Sequence, residues 1–332
     1  LERVLMNLIC EVEMKKVALS VAALALAAGS ALAADLPSRK GPPVLPLPPP
    51  PPPMWTGFYV GLNAGGTWAN SNNVTTTAIG LPGTDWATFA PLALWGNGQE
   101  PALSASGVFG RGNNGGFIGG GQVGYNWQFY NNVVAGIEAD IQGIASSSGS
   151  GNAFSVAPSG GVLGGLLGLN WNTAAQYRSN LDYIGTVRGR LGWLFTPTLL
   201  LYGTGGLAYG GVSVNNSFVT TASNPGGIYR DVASLASSAF SDTRVGWTAG
   251  GGLEWMFWPN WSAKVEYLYY DLGNVTTTAF SVAPPSAFGF GTGLNSWAHA
   301  IQTTQRFNGN IVRAGVNYHF NWGAPAPVVA KY

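Results

Sequence analysis

Cysteine is nearly missing from this chain: its 332 residues hold one, Cys10, close to the start. The remainder therefore offers no disulfide framework and no thiolate chemistry. Cys10 follows Ile9, whereas a lipid-modified cysteine needs a small residue just before it. Charge is scarce as well, at 9% of residues, against about 25% in an ordinary soluble domain. Long apolar runs are absent past residue 34; the longest candidate, Val162 to Leu169, is short and broken by glycines. Helical membrane spans need about 20 such residues, so they are excluded there. Lys and Arg are scattered and the net charge is +1, which leaves no basic face for nucleic acid. Two histidines, His299 and His319, stand far from any Cys or carboxylate cluster at ligand spacing. No metal site, no cofactor site and no catalytic residue is expected.

What is present is glycine, with 49 residues, and aromatic side chains at 12%. Low charge without helical spans fits strands that alternate apolar-out and polar-in across a membrane. The N-terminus carries an export pattern: Lys15 and Lys16, an apolar core from Val17 to Ala28, and the small-residue site Ala31-Leu32-Ala33. Met14 is a natural initiator before it. The expected organisation is an upstream extension at 1–13, a signal peptide at 14–33 cleaved after Ala33, and a Pro-rich periplasmic linker at 34–53. A barrel at 54–320 and a tail at 321–332 follow. From Pro42 to Pro53 nearly every residue is proline; at about 3.1 Å per residue this stiff segment reaches some 35–40 Å. It reads as a spacer, with a ligand for a proline-binding partner or a contact with the cell wall as the sharper alternative.

After Trp55 the sequence period becomes two, the strand signature. The strands read as 55–68, 115–129, 133–143, 181–195, 199–211, 243–257, 261–270 and 310–320. Tight turns fall at 130–132, 196–198 and 258–260. Long Ser-, Asn-, Thr- and Gly-rich loops fall at 69–114, 144–180, 212–242 and 271–309; a hairpin hidden in one of them would make ten strands, and 161–171 is the first place to look for it. Short turns on one side and long loops on the other predict an all-β fold, a transmembrane antiparallel up-and-down β-barrel of eight strands.

The charges fall on one face of these strands. Glu138 and Asp140 oppose Ile137, Ala139 and Ile141; Asp182, Arg188 and Arg190 oppose Tyr183, Val187 and Leu191. Arg244 and Glu254, Lys264 and Glu266, and Arg313 and His319 repeat the pattern later in the chain. Asp271 has the outward parity but falls just past a strand end. An apolar outer face would carry Trp55, Trp68, Trp127, Trp193, Trp255 and Trp261 at the two membrane interfaces. Five bases (Arg188, Arg190, Arg244, Lys264, Arg313) then meet five acids (Glu138, Asp140, Asp182, Glu254, Glu266) in a narrow lumen. An unpaired buried ion is very costly, so they are expected to pair. Inward glycines (Gly136, Gly192, Gly206, Gly246, Gly250) leave room for water and keep a narrow pore as the alternative.

Several segments carry a resemblance. They are Trp55-Thr56-Gly57-Phe58-Tyr59-Val60-Gly61, Leu200 to Gly210, Trp261 to Tyr269 and Arg313 to Phe320, after an Ala34-Asp35-Leu36-Pro37 start. In these the chain resembles the small outer-membrane β-barrel family that includes opacity-type surface antigens and alphaproteobacterial surface proteins. The resemblance spans most of 54–320 apart from the long loops. It implies an eight-stranded barrel in the outer membrane of a Gram-negative bacterium, with antigenic loops outside, and fixes no molecular activity. Family barrels usually end on the aromatic residue that the outer-membrane assembly machinery reads, here Phe320. This chain departs from the pattern by running on to Tyr332 and by its longer loops.

One motif tempts and fails. Gly119-Gly120-Gly121-Gln122-Val123-Gly124, with Glu138 downstream, satisfies the dinucleotide pattern, but strand alternation follows it where a helix is required. The expectation is a monomeric, non-enzymatic barrel that stabilises the envelope and presents loops, in contact with outer-membrane lipid and lipopolysaccharide and with no nucleic-acid partner. A narrow porin and a barrel enzyme are the alternatives. Loop aromatics Trp86, Phe89, Trp95, Tyr177 and Trp297 are the candidates for surface contact.

Overall fold

The computed structural model describes residues 55–70, 73–81, 100–110, 112, 115–129, 132–146, 149–158, 170–223, 232–282 and 298–320. The segments expected as leader, linker and C-terminal tail lie outside these residues. So do the loop aromatics Trp86, Phe89, Trp95 and Trp297, and residues 161–169. In chain order the elements are β1 (Gly57–Ala69), β2 (Asn73–Gly80), α1 (Glu100–Ala105), β3 (Gly107–Gly110), β4 (Gly115–Phe129) and β5 (Val133–Ser146). They continue with β6 (Gly149–Pro158), β7 (Asn170–Thr196), β8 (Leu199–Ser223), β9 (Val232–Trp258), β10 (Trp261–Val282) and β11 (Ala298–Phe320).

Eight strands form an antiparallel ring in the order β1-β4-β5-β7-β8-β9-β10-β11. Pairing of β1 with β11, from Phe58↔Phe320 to Ala69↔Gly309, closes it. The tight turns at 196–198 and 258–260 lie at one end. At 258–260 the turn is made by Asn260, whose φ of 68° is a conformation Asn tolerates better than most residues. Its Nδ2 donates to the His319 carbonyl at 2.7 Å, pinning the turn to the last strand.

At the other end the strands run well past their expected limits. β7 opens at Asn170, not 181, β8 reaches Ser223, and β9, β10 and β11 lengthen in the same way. Much of what reads as loop is therefore strand. Ser, Thr and Asn suit a solvent-facing strand surface as well as a loop, so composition alone does not separate the two. Three further strands join this upper region: β2 pairs with β11, β3 with β2, and β6 with β7. None of the three enters the ring at the turn end.

Above the Asp271↔Trp247 pair, the β9–β10 ladder stops. The upper wall is then two sheets, β3-β2-β11-β10 and β6-β7-β8-β9. Side chains bridge them where the ladder is missing: Ser234 to Ser281 at 2.6 Å and Ser238 to Thr277 at 3.0 Å. On the opposite side Gly112 N donates to Ser150 O at 3.1 Å. Helix α1 touches β2, β6, β7, β8 and β11 and buries Ala102, Ser104 and Ala105.

Candidate functional site: the filled interior

The interior is stacked in layers. Nearest the turns lie Trp55, Val134, Leu194, Leu200, Tyr202 and Met256, packed together. Trp55 is 0% exposed, and its Nε1 donates to the Pro197 carbonyl at 3.0 Å. It was expected at the membrane interface; it instead stops the barrel from inside, because it precedes β1 and folds under the ring. Trp68, Trp127, Trp193, Trp255 and Trp261 all point outward and are exposed.

The next layer holds the charges. Alternation places Glu138 and Asp140 of β5, Arg188 and Arg190 of β7, Glu254 of β9, Lys264 and Glu266 of β10, and Arg313 of β11 inside, all buried. Arg188 sits at the centre. Its Nη2 donates to Glu138 Oε1 at 2.6 Å and Asp140 Oδ2 at 2.9 Å, and its Nη1 donates to Glu266 Oε1 at 2.9 Å. Arg313 Nη2 bridges Asp140 at 2.8 Å and Glu266 at 2.5 Å. Lys264 Nζ reaches Glu138 Oε1 at 2.8 Å. Arg190 Nη2 pairs with Glu254 Oε2 at 2.5 Å and stacks 4.2 Å from the Tyr202 ring centre. Four cations thus meet four carboxylates, and the layer is neutral as a unit. Each ion removed from water costs several kcal/mol (~20 in the idealised limit), which only this density of charged partners offsets.

Two of the ten expected members are elsewhere. Asp182 is exposed, because β7 bulges between Leu181 and Tyr183 and the two-residue period slips there. Arg244 lies where β9 and β10 part, and its Nη2 donates to the Asn274 carbonyl at 2.9 Å. Asp271, expected in a loop, is buried in β10 beside the irregularity between Asp271 and Asn274, and it pairs with Arg306 at 2.5 Å.

Sequence parity alone did not single out the neutral groups that complete the cluster. Tyr59 OH donates to Glu138 Oε2 at 2.6 Å and accepts from Arg190 Nη1 at 3.0 Å. Thr186 donates to Asp140 at 2.8 Å, and Ser262 and Asn317 donate to Glu254 at 2.5 and 2.8 Å. Inward parity was the available signal, but a tyrosine on a membrane strand reads first as an interface residue. The inward glycines do not leave open space. A Cβ at Gly136 would meet Asn126 and Arg190, one at Gly192 would meet Leu200 and Tyr202, and one at Gly250 would meet Leu268.

Above the charges an apolar layer closes the ring again: Ile118, Ile184, Ala208, Leu268, Leu272, Phe307 and Ile311 among others. A polar rung follows, with Asn216 Nδ2 donating to Thr277 Oγ1 at 3.0 Å and Gln305 Nε2 to Asn216 Oδ1 at 3.1 Å. A second apolar core then fills the upper region: Val74, Ala105, Ala175, Tyr177, Phe218, Ala236, Ala279 and Ile301. Tyr177, expected at the surface, belongs to this core. His299 is buried in β11 near the top, and burial pulls its imidazole down to about 4.

The family match agrees with this architecture. Residues 19–320 match the family profile of the outer membrane protein β-barrel domain. The 31 kDa outer-membrane immunogenic protein of Brucella melitensis is 33% identical over 309 residues, covering 92% of this chain and 100% of the relative. The 22 kDa outer membrane protein of Rhizobium leguminosarum is 33% identical over 190 residues, 55% of this chain and 68% of that protein. The crystal structure of the outer membrane protein OprG from Pseudomonas aeruginosa aligns at a TM-score of 0.32 and 10% identity, covering 81% of this chain and 99% of OprG.

Proposed function

Because this chain belongs to the outer membrane protein β-barrel domain family, we propose that it is a sealed, non-enzymatic barrel of the Gram-negative outer membrane that carries a rigid surface extension. The observation that carries this reading is the stacking of the interior. The neutral ion cluster is bracketed by an apolar layer on the turn side and another on the loop side. An ion entering either layer would be desolvated without a partner, at a cost of several kcal/mol. The barrel then acts as an anchor, and the long strands above it hold the exposed surface in a fixed shape.

In this reading the outward Trp127, Trp193, Trp255 and Trp261 form the periplasmic girdle and Trp68 belongs to the outer one. Phe320, paired with Phe58 at the closing seam, is the aromatic presented to the assembly machinery. The leader at 14–33 is removed on export, the proline segment spaces the barrel from the cell wall, and the barrel stands as a monomer among lipid and lipopolysaccharide.

A Ser262–His319–Glu254 grouping lies inside, with Ser262 Oγ 2.8 Å from His319 Nε2. It argues against catalysis on two grounds. A hydrolytic triad uses both ring nitrogens, one for the nucleophile and one for the acid; here Nε2 faces Ser262 and also lies 3.4 Å from Glu254. All three residues are also buried beneath Trp55 and its neighbours.

The test is single-channel recording of the refolded barrel in a planar bilayer, with Arg188→Ala and Glu138→Ala beside it. A silent parent and leaky or unstable variants are expected. Steady openings in the parent, with ion selectivity shifted by the same changes, would replace this reading with that of a small porin.

A further inference from the structure

The rim of the lipid-facing belt carries a cationic corner where the β9–β10 ladder ends. Strand geometry fixes its depth. Phe257 is the outward residue of β9 nearest the 258–260 turn, and Trp247 is the last large outward aromatic of that strand on the loop side. The stretch from one to the other runs about 33 Å at ~3.3 Å per residue. At a tilt of about 40° that is roughly 25 Å along the axis, the height of an outer-membrane apolar band. Arg244 stands three residues beyond Trp247, about 8 Å farther along the axis and so at the level of lipid headgroups.

Two guanidinium groups meet there. Past the Asp271↔Trp247 pair β9 and β10 part, and half-buried Arg244 reaches across the gap, its Nη2 donating to the Asn274 carbonyl at 2.9 Å. Asn274 is the register partner of Arg306 on β11. Arg306 projects outward with its side chain 54% exposed, and its Nη2 pairs with Asp271 Oδ2 at 2.5 Å. Both cations therefore end on one short bulge, Asp271 to Asn274. Gly273 joins them: its N–H donates to Asp271 Oδ1 at 2.9 Å, and a Cβ built there would lie 4.0 Å from Arg244 Nη2. The buried Asp271 carboxylate balances Arg306, whereas among the described residues Arg244 has no carboxylate partner. Two further acids at this rim stand nearer the tip. Asp242 is two residues beyond Arg244, with its Oδ1 accepting from Thr243 N, and Asp182 lies two strands away on β7. On the membrane side of the corner Trp247 and Tyr269 lie together, their ring centres 5.4 Å apart.

We infer that this corner is a headgroup site for lipopolysaccharide in the outer leaflet: Arg244 and Arg306 hold one of its phosphates while its acyl chains lie against Trp247 and Tyr269. The inference rests on the reading above in which the turn end faces the periplasm. Charge, geometry and depth select this occupant. A guanidinium grips a phosphate through paired N–H donors, and each of these cations touches the bulge through Nη2 alone, leaving Nη1 for a ligand. Cations at the membrane surface attract anionic lipid headgroups. The aromatic pair just below suits the boundary between headgroup and acyl chain. A dissolved anion would gain nothing from that pair, whereas a lipid meets both parts of the corner at once.

The test uses the full chain refolded into phosphatidylcholine nanodiscs. These contain, in turn, a small fraction of bisphosphorylated lipid A (the lipid anchor of lipopolysaccharide), of the same lipid stripped of its phosphates, or of phosphatidylglycerol. Native mass spectrometry of the released barrel reads which lipid it keeps. Retention of the bisphosphorylated lipid alone is the expected result. Arg244→Gln combined with Arg306→Gln should lower that retention at least about tenfold, and Arg178→Gln, at a cation nearer the tip, should leave it unchanged. Heat-modifiable electrophoresis confirms that each variant is folded, and the lipid series itself needs no substitution. Equal retention of the stripped lipid or of phosphatidylglycerol, or undiminished retention by the double variant, would overturn the proposal. Displacement by inorganic phosphate would assign the two arginines to a free anion instead. Nanodiscs offer the lipid on both faces, so failure here counts against the site whichever way the barrel points, while conductance decides the sealed interior separately.

Discussion

The turn half and the loop half of the same strands are built in opposite senses. In β10, Lys264 and Glu266 point inward while Val265 and Tyr267 face out. Beyond the irregularity at Asp271, with Gly273 at φ +79°, Val275 and Ala279 point inward and Thr276 and Thr278 face out. The inversion marks a change of solvent. Lipid outside the lower half makes apolar residues cheap there and leaves the interior to polar groups. Water outside the upper half restores the ordinary arrangement, in which burying apolar surface stabilises the fold. A single strand thus obeys two rules, and the bulge is where one gives way to the other.

The comparison can be broken in graded steps. Arg188→Ala removes the cation shared by three carboxylates and should destabilise the lower half by about 3–5 kcal/mol, since it leaves buried charge uncompensated. Urea unfolding of the refolded barrel would measure it. Phe218→Ala in the upper core should cost about 3 kcal/mol, and limited proteolysis should show cleavage confined to the upper strands with the lower barrel intact. A loss of the whole barrel would mean that the two halves do not fold as separable units.

A third step uses pH. The His299 imidazole, held down to about 4 by burial, favours the neutral form in the folded state. Its contribution is complete above the usual value near 6.5 and is lost as the pH falls from there toward 4, by at most about 3 kcal/mol. Hydrogen exchange in the upper strands should therefore quicken over that window, and His299→Gln should flatten the dependence. The smallest effect is expected at Thr276, which faces water and pairs with Thr304 at 3.1 Å. Thr276→Val should shift stability by no more than about 0.5 kcal/mol, and a larger change would show that this outward face of β10 is not simply solvated.

How far these features are legible in the sequence differs between the two halves. In the lower half, Glu138, Asp140, Lys264, Glu266 and Arg313 stand among aliphatic neighbours at period two, so strand, face and ring number can all be read. The upper strands hide because Thr276, Thr278, Asn215 and Ser217 are the residue types of loops and of wet strand faces alike. Asp182 and Asp271 defeat parity because a bulge moves a side chain without leaving a mark in composition. Trp55 misleads for a different reason: its chemistry suits an interface and a plug equally, and only the path of the chain before β1 decides. Tyr59 shows the converse, a partner of Glu138 and Arg190 that charge counting could not find.

The pairing of β1 with β11 has a consequence for how the molecule comes into being. The contact that closes the ring joins Phe58 to Phe320, nearly the full span of the described chain. Such sequence-distant contacts form slowly, because chain entropy is lost before they are rewarded. Arg313 belongs to that last strand, so until it arrives Asp140 and Glu266 lack one of their cations and the cylinder is an open, hydrated sheet. Neutralisation of the interior and completion of the ring are therefore one event in time, and a chain truncated before β11 is left with an unfinished wall as well as unbalanced acids.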